Sequence, residues 1–342
     1  MKAPFRDHRF GFLALLILIL GLSCVLSLYF GSRSVRIPFL RVAGIIISRF
    51  PGMGSRFPRY ADWEVNIVMN VRAPRMLMGL ITGCALAVSG VTMQGIFRNP
   101  LASPYILGVS AGGALGASAG IILGLGFYYI PGLAFLMAMV TSFLVFMLGR
   151  VNGRSDVPTL LLAGIAIGAF MGALTSYLKF IARDSLQDIV FWTMGSLHGS
   201  VWKEIYVVTP LVMVGMVLTF FFTRELNVLQ AGEESAAHLG VEVERTKLIL
   251  LILSSLLAAS VVAFTGIIGF VGLIIPHMAR MLTGPDHRWL VPTSAVMGAI
   301  FLMGCDILVR LSGNVPVGII TGLFGAPFFL YLLLKSRGGS GW

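Results

Sequence analysis

Charge is scarce in this sequence. Only 11% of its 342 residues are Asp, Glu, Lys or Arg, and the acids number 14, whereas about a quarter of an ordinary soluble domain is charged. That deficit excludes a soluble globular protein. The acids also avoid the apolar runs, Asp306 being the clear exception, which disfavours an ion-coupled carrier, because coupling needs ionisable groups within the membrane. A Walker A sequence is missing, so the chain has no P-loop with which to bind and hydrolyse ATP. The histidines offer no metal-ligating pair: His277 follows a proline, His287 lies in a short polar loop and His198 stands alone. The three cysteines, Cys24, Cys84 and Cys305, lie inside apolar runs, where they read as small packing residues rather than ligands or bridges. No hydrophilic block is large enough for a separate soluble domain, so 1–342 reads as a single membrane unit.

Apolar sequence fills the remainder: 57% of the residues are hydrophobic and the mean hydropathy is +0.92. Charged, Pro-rich and turn-rich breaks divide the chain into ten candidate spans, at about 10–30, 73–96, 101–126, 131–150, 158–181, 203–223, 245–265, 268–283, 290–311 and 315–335. About 20 apolar residues cross roughly 30 Å of hydrocarbon as a helix. The first run follows MKAPFRDHR but is too long for a signal-peptide core and lacks a small-residue cleavage site, so it reads as a retained span. An even number of spans puts both termini on one side, and basic ends (Lys2, Arg6 and Arg9; Lys335 and Arg337) argue for the cytoplasm. On that topology 13 Lys and Arg lie inside and 12 outside. The outer excess is concentrated in the segment before the second span, with Arg33, Arg36, Arg41, Arg49, Arg56, Arg59, Arg72 and Arg75. This points to an acidic visitor on the outer face or to lipid head groups. The net charge of +11 is therefore read as membrane-side charge, not as a nucleic-acid footprint. Within 31–71, IPFLRVAGIIISRF (37–50) predicts a short interfacial amphipathic helix.

Glycines recur every fourth residue at 108, 112, 116, 120 and 124 and again at 164, 168 and 172, a stripe that lets helix backbones approach closely. Pro158 with Gly164 and Pro316 with Gly322, together with ALAVSG (85–90) against LAASVV (257–262), give a weak internal repeat whose halves would have opposite orientation. Asp306 and Arg310 stand one helical turn apart, as a local ion pair would. The one strongly polar interior block, LQAGEESAAHLGVEVER (229–245), holds four of the 14 acids.

Three stretches carry a family likeness. RAPRMLMGLITGCALAVSGVTMQGIFRNPLASPYILGVSAGGALG (72–116), LLLAGIAIGAFMGALTS with FWTMGSLHGS (160–176, 191–200), and GFVGLIIPHMARMLTGPDHRWLVP with VPVGIITGLFGAPFFLYLLLK (269–292, 315–335) closely resemble the FecCD family, the membrane subunits of type II ATP-binding-cassette importers for iron-siderophores, haem and cobalamin. The likeness covers roughly residues 70 to 337.

It implies an all-α integral membrane protein of ten transmembrane helices per subunit, in the type II importer permease fold, forming a homodimer around a central pathway in the cytoplasmic (inner) membrane. Its partners would be two ATPase subunits and a periplasmic or lipid-anchored substrate-binding protein. The chain itself would be no enzyme and hold no cofactor, ATP and Mg belonging to the ATPase. Arg72, Arg75 and Arg310 match the family's docking arginines, whose planar forks suit carboxylates on the binding protein. Asn99 and Leu101 in RNPLASP, with Val157 and Pro158 in SDVPT, match the cytoplasmic gate. Gly232, Glu233, Ala236, Leu239 and Gly240, inside 224–244, match the coupling helices on the ATPase. The implied cargo is an iron(III) siderophore, with haem, cobalamin or an oxyanion such as molybdate as alternatives.

Overall fold

In a computed structural model the described residues are 4–5, 8–31, 35, 37–49, 58, 60–126, 129–151 and 154–337. Lys2, Arg6, Arg33, Arg36, Arg56 and Arg59, named above, lie outside them. The architecture is a helical bundle whose elements follow the apolar runs. α1 (Arg9–Tyr29) is followed by α2 (Phe39–Ser48), the expected short helix within 37–50. α3 (Asp62–Asn66) continues through a π-turn at Ile67–Arg72 into α4 (Ala73–Phe97). A 3₁₀ turn at Pro104–Leu107 precedes α5 (Val109–Ile122), and α6 (Tyr129–Leu148) leads into a tiny hairpin of β1 (Arg150–Val151) and β2 (Arg154–Ser155). α7 (Val157–Ile181), α8 (Leu186–Thr193) and α9 (Trp202–Phe221) precede the short pair α10 (Thr223–Leu229) and α11 (Glu233–His238). The chain finishes with α12 (Val243–Thr265), α13 (Val271–Thr283), α14 (His287–Leu311) and α15 (Val317–Arg337).

All ten expected spans fall on helices, but not all are full-length. Among the described residues seven helices are long and apolar enough to cross a membrane. Val109–Ile122, Val271–Thr283 and the fully described part of α15, Val317–Tyr331, are shorter. The expected 101–126 and 268–283 spans are each broken near their start. Left-handed Gly108 (φ 75°) interrupts the first, while Gly266 (φ 67°) and Phe270 (φ 69°) open the second. Irregular backbone at membrane depth is tolerated where protein surrounds it, and here the Tyr105 hydroxyl donates to the Ile268 carbonyl at 2.7 Å, joining the two breaks.

These breaks expose a repeat that the sequence barely signals. α4 to α7 and α12 to α15 both place a short helix second, and the two sets run in opposite directions: α4 begins beside Arg75 and ends at Arg98, whereas α12 begins at Lys247 and ends at the opposite side. α4 is the hub, buried along nearly its whole length. Its small residues allow this: a methyl at Gly83 would meet the Gly298 carbonyl on α14, and one at Gly90 would meet the Gly272 carbonyl on α13. Gly90→Ala should therefore cost about 1–3 kcal/mol through overpacking; an unchanged melting temperature in detergent would show that the helices do not touch there. The glycine stripes behave unequally. Gly112 and Gly116 lie against the Met137 and Leu133 carbonyls of α6, and Gly164 against the Ile106 carbonyl, while Gly168 and Gly172 meet nothing within 4 Å in this chain. α7 buries only 17% of its apolar window.

Candidate functional site

The polar block between α9 and α12 folds as two short helices separated by a glycine hinge. Gly232 sits at φ 115°, ψ 153° as the residue before α11, a conformation open essentially only to glycine. Gly240 follows the helix at φ 82°, where a left-handed residue closes a helix end. Glu233 and Glu234 occupy the first turn of α11, where the helix dipole favours carboxylates. Ala236 is fully buried and anchors the helix, whereas Leu239 is 64% exposed. α10 is fixed separately. The Asn227 amide donates to Asp286 Oδ1 at 2.8 Å and its oxygen accepts the His287 backbone N–H at 2.8 Å, tying α10 to the start of α14. The beginning of α1 lies at this same end, with Arg9 3.5 Å from Asp286.

Beside the block stands a buried cation. Lys247, with its side chain 2% exposed, places Nζ 2.6 Å from Glu233 Oε1 and 3.7 Å from Glu244 Oε1, and it donates to the Ser155 carbonyl at 3.2 Å. Glu244 Oε2 in turn accepts from the Ser155 N–H and hydroxyl, both at 2.8 Å. Arg98, held left-handed (φ 47°) at the end of α4, approaches Glu233 at 4.0 Å. The residues expected to form the gate adjoin this cluster in sequence, Asn99 following Arg98 and Val157 lying two residues after Ser155. Asn99 accepts the Leu101 N–H at 2.9 Å, which fixes the turn into PLASP. Val157 and Pro158 form the first turn of α7, where proline is tolerated because its missing N–H would be unpaired anyway.

Asp156 caps that turn, accepting from the Thr159 hydroxyl at 2.5 Å and the Thr159 N–H at 3.0 Å. The hydroxyl bond, then the amide bond, hold its carboxyl below the ordinary value of 3.8, with Lys247 adding a weaker pull. Because the folded value is depressed, the cap contributes fully above the ordinary value and fades only as pH falls through the lower folded one. Protection of the Thr159 amide, taken against its intrinsic exchange rate at each pH, should thus hold above the usual carboxylate range and fall as the carboxyl is protonated, while Asp156→Ala should lower it at neutral pH and change little once the carboxyl is protonated.

At the opposite end, Arg72, Arg75 and Arg310 converge, but they are 4%, 7% and 2% exposed rather than presented outward. Arg75 Nε donates to Asp306 Oδ1 at 2.9 Å, and Arg310 Nε donates to Oδ2 of the same carboxylate at 2.8 Å. The expected Asp306–Arg310 pair is therefore present within α14 and shared with a second helix, α4. Arg310 Nη1 also donates to the Ser27 and Phe30 carbonyls at 2.6 and 2.9 Å. Arg72 donates to those of Leu28 and Tyr29, both at 2.9 Å, and of Val35 at 3.0 Å. The carbonyls of Ser27, Leu28 and Tyr29 are among those a helix C-terminus leaves unpaired, so two arginines cap α1. His198 lies 3.3 Å from Arg75 Nη1. The three arginines expected to dock a binding protein thus form a buried cluster in this chain, because the caps of α1 and a single carboxylate occupy the guanidinium donors. The described outer-segment arginines include Arg41, whose side chain is 58% exposed and pairs with Glu64 at 2.7 Å.

Sequence reasoning passed over Lys247, Asn227 and Arg98. Lys247 reads as a basic residue flanking a span; Glu244 lies three residues before it, but its backbone acceptor Ser155 is 92 residues away, and only its place at the very edge of the apolar run LILLIL hinted that it was buried.

The FecCD transport family model matches residues 15–335. The permease of a cobalamin import system from Halobacterium salinarum is 46% identical over 78% of this chain and 73% of its own length. The hemin transport permease of Yersinia pestis is 40% identical over 96% of this chain and 95% of its own. A solved structure described as an inward-facing conformation of a metal-chelate type ABC transporter superposes with TM-score 0.82 at 32% identity, covering 95% of this chain and 99% of that one. A membrane bundle without a P-loop, an anchored polar helix pair at one end and a family match over nearly its whole length lead to one assignment: the chain belongs to the FecCD transport family and is the permease subunit of an ATP-binding-cassette importer.

Proposed function

We propose that two copies of this chain form a pathway for an iron(III) chelate, opened alternately to the two sides of the cytoplasmic membrane. Two separate ATPase subunits, which bind ATP and Mg, rest on α10–α11, and a substrate-binding protein delivers cargo at the arginine end. The observation that carries this reading is the polar helix pair: it exposes Leu239 and Glu234 at one end of the bundle while Asn227 and Lys247 fasten it to the transmembrane helices. A surface that both receives an external contact and is anchored inward suits a part that transmits force. At the other end, Arg72, Arg75 and Arg310 would hold the docking edge in shape around the end of α1. Both termini are placed on the ATPase side, in keeping with Arg9 lying beside Asp286.

A second cargo reading, haem or cobalamin, is favoured by the relatives named for hemin and cobalamin transport; all three are metal chelates. Proteoliposomes containing the permease, its ATPase and its binding protein are offered a ferric hydroxamate, ferric citrate, haemin, cyanocobalamin and molybdate in turn. ATP-dependent accumulation of a ferric chelate is expected. Accumulation of haemin or cyanocobalamin alone would move the assignment to that cargo. Uptake without ATP would overturn the ATP-driven reading.

A further inference from the structure

Lys247 is one of the few charged groups buried among the described residues. An ammonium withdrawn from water costs several kcal/mol unless partners repay it, and this one has a fully enclosed stem and head. Its acceptors come from two parts of the chain that are separated by 78 residues of sequence: the Ser155 carbonyl on the hairpin strand β2, at 3.2 Å, and Glu233 at the head of α11, at 2.6 Å. The lysine itself belongs to a third element, α12. Glu244, also on α12, completes the grip on β2 through the N–H and hydroxyl of Ser155.

We infer that Lys247 is a positioning residue for energy coupling: it transmits displacement of α11 to the β2–α7 corner that carries Val157 and Pro158. The inference rests on the importer reading above and deepens it by naming a buried relay. A single nitrogen bonds both moving parts: if Glu233 withdraws, the buried ammonium keeps only the longer contact to Glu244, at 3.7 Å, and if Ser155 withdraws it loses its one backbone acceptor. β2 runs directly into α7 through Asp156, whose carboxylate caps the helix. A shift of Ser155 is therefore a shift of the first turn of α7. Arg98 stands 4.0 Å from Glu233, further than Lys247 does, and it is half exposed, so it can exchange Glu233 for water at little cost. Lys247 has no such exit.

Glu233 is 39% exposed and Glu244 33% exposed at their side chains, so removing the lysine leaves both carboxylates able to reach water. The test uses the permease–ATPase complex in nanodiscs, with hydrogen exchange followed in residues 233–238 and 155–162, before and after trapping with ATP and vanadate. In the wild-type complex both segments should change on trapping. In Lys247→Met the change at 233–238 should persist while that at 155–162 is lost, and Lys247→Arg should restore it. A residue that only supported the fold would raise exchange in both states and leave the trapping difference in place. Should Lys247→Met fail to assemble, the paired variant Glu233→Gln with Lys247→Gln removes the buried charge, leaves the part-exposed Glu244 and Arg98 able to reach water, and should show the same selective loss. Retention of the 155–162 response in either variant would overturn the inference. A wild-type permease whose residues 233–238 ignore nucleotide would instead overturn the importer reading on which it depends.

Discussion

Replacing Asp306 with alanine is expected to destabilise the folded permease by about 3–5 kcal/mol, the cost of breaking a buried ion pair by removing one partner. The carboxylate lies between Arg75 and Arg310 and is itself 1% exposed, so its loss leaves two buried guanidiniums facing each other with no counter-charge. Arg310 would keep its carbonyl acceptors on α1, but those bonds carry only partial charges. Asp306→Asn should do nearly as much harm, because the amide restores shape and one acceptor but not the charge. Thermal unfolding followed by size-exclusion of the detergent-solubilised protein measures the effect. A melting temperature unchanged in both variants would mean that the cluster is hydrated and that the arginines are free for other work. The same experiment bears on docking. If binding-protein capture falls only in proportion to lost fold, the arginines act by shaping the surface rather than by gripping the partner.

Substituting valine at Gly232 should separate transport from ATP hydrolysis. At φ 115° and ψ 153° a β-branched residue pays about 1–3 kcal/mol of backbone strain, relieved only by turning α11 away from its seat. Nothing else opposes the side chain, since an added Cβ would find its nearest neighbours at 3.7 Å, on Arg98, and 3.9 Å, on Ser235. The strain is therefore local, and melting of the bundle should change little while cargo moved per ATP hydrolysed falls about tenfold, the equivalent of 1.4 kcal/mol. Gly240→Val, at φ 82° with open space around it, should act in the same direction and more weakly. Normal coupling in Gly232→Val would show that the hinge geometry is not needed to present α11.

Much of this protein is determined by its sequence alone. The scarcity of charge and the repeated apolar runs require membrane helices, because a backbone in hydrocarbon has to satisfy its own hydrogen bonds. The glycines flanking EESAAHL mark the ends of a short helix, because few other residues tolerate positive φ. These are local properties, and local chemistry suffices to read them.

What only the tertiary structure decided is which charges face each other. The spacing of Asp306 and Arg310 announces their pair, but the arginines of RAPR read as exposed cations because their acceptors, a carboxylate 231 residues from Arg75 and the last carbonyls of α1, have no signature in sequence spacing. Lys247 reads as a flanking lysine for the same reason. Helix lengths also needed the fold: the shortening of α5 and α13 depends on breaks that are enclosed by other helices and joined to each other by the Tyr105–Ile268 hydrogen bond. A buried charge and an interrupted helix are both costly alone, and only the three-dimensional neighbours show what offsets the cost.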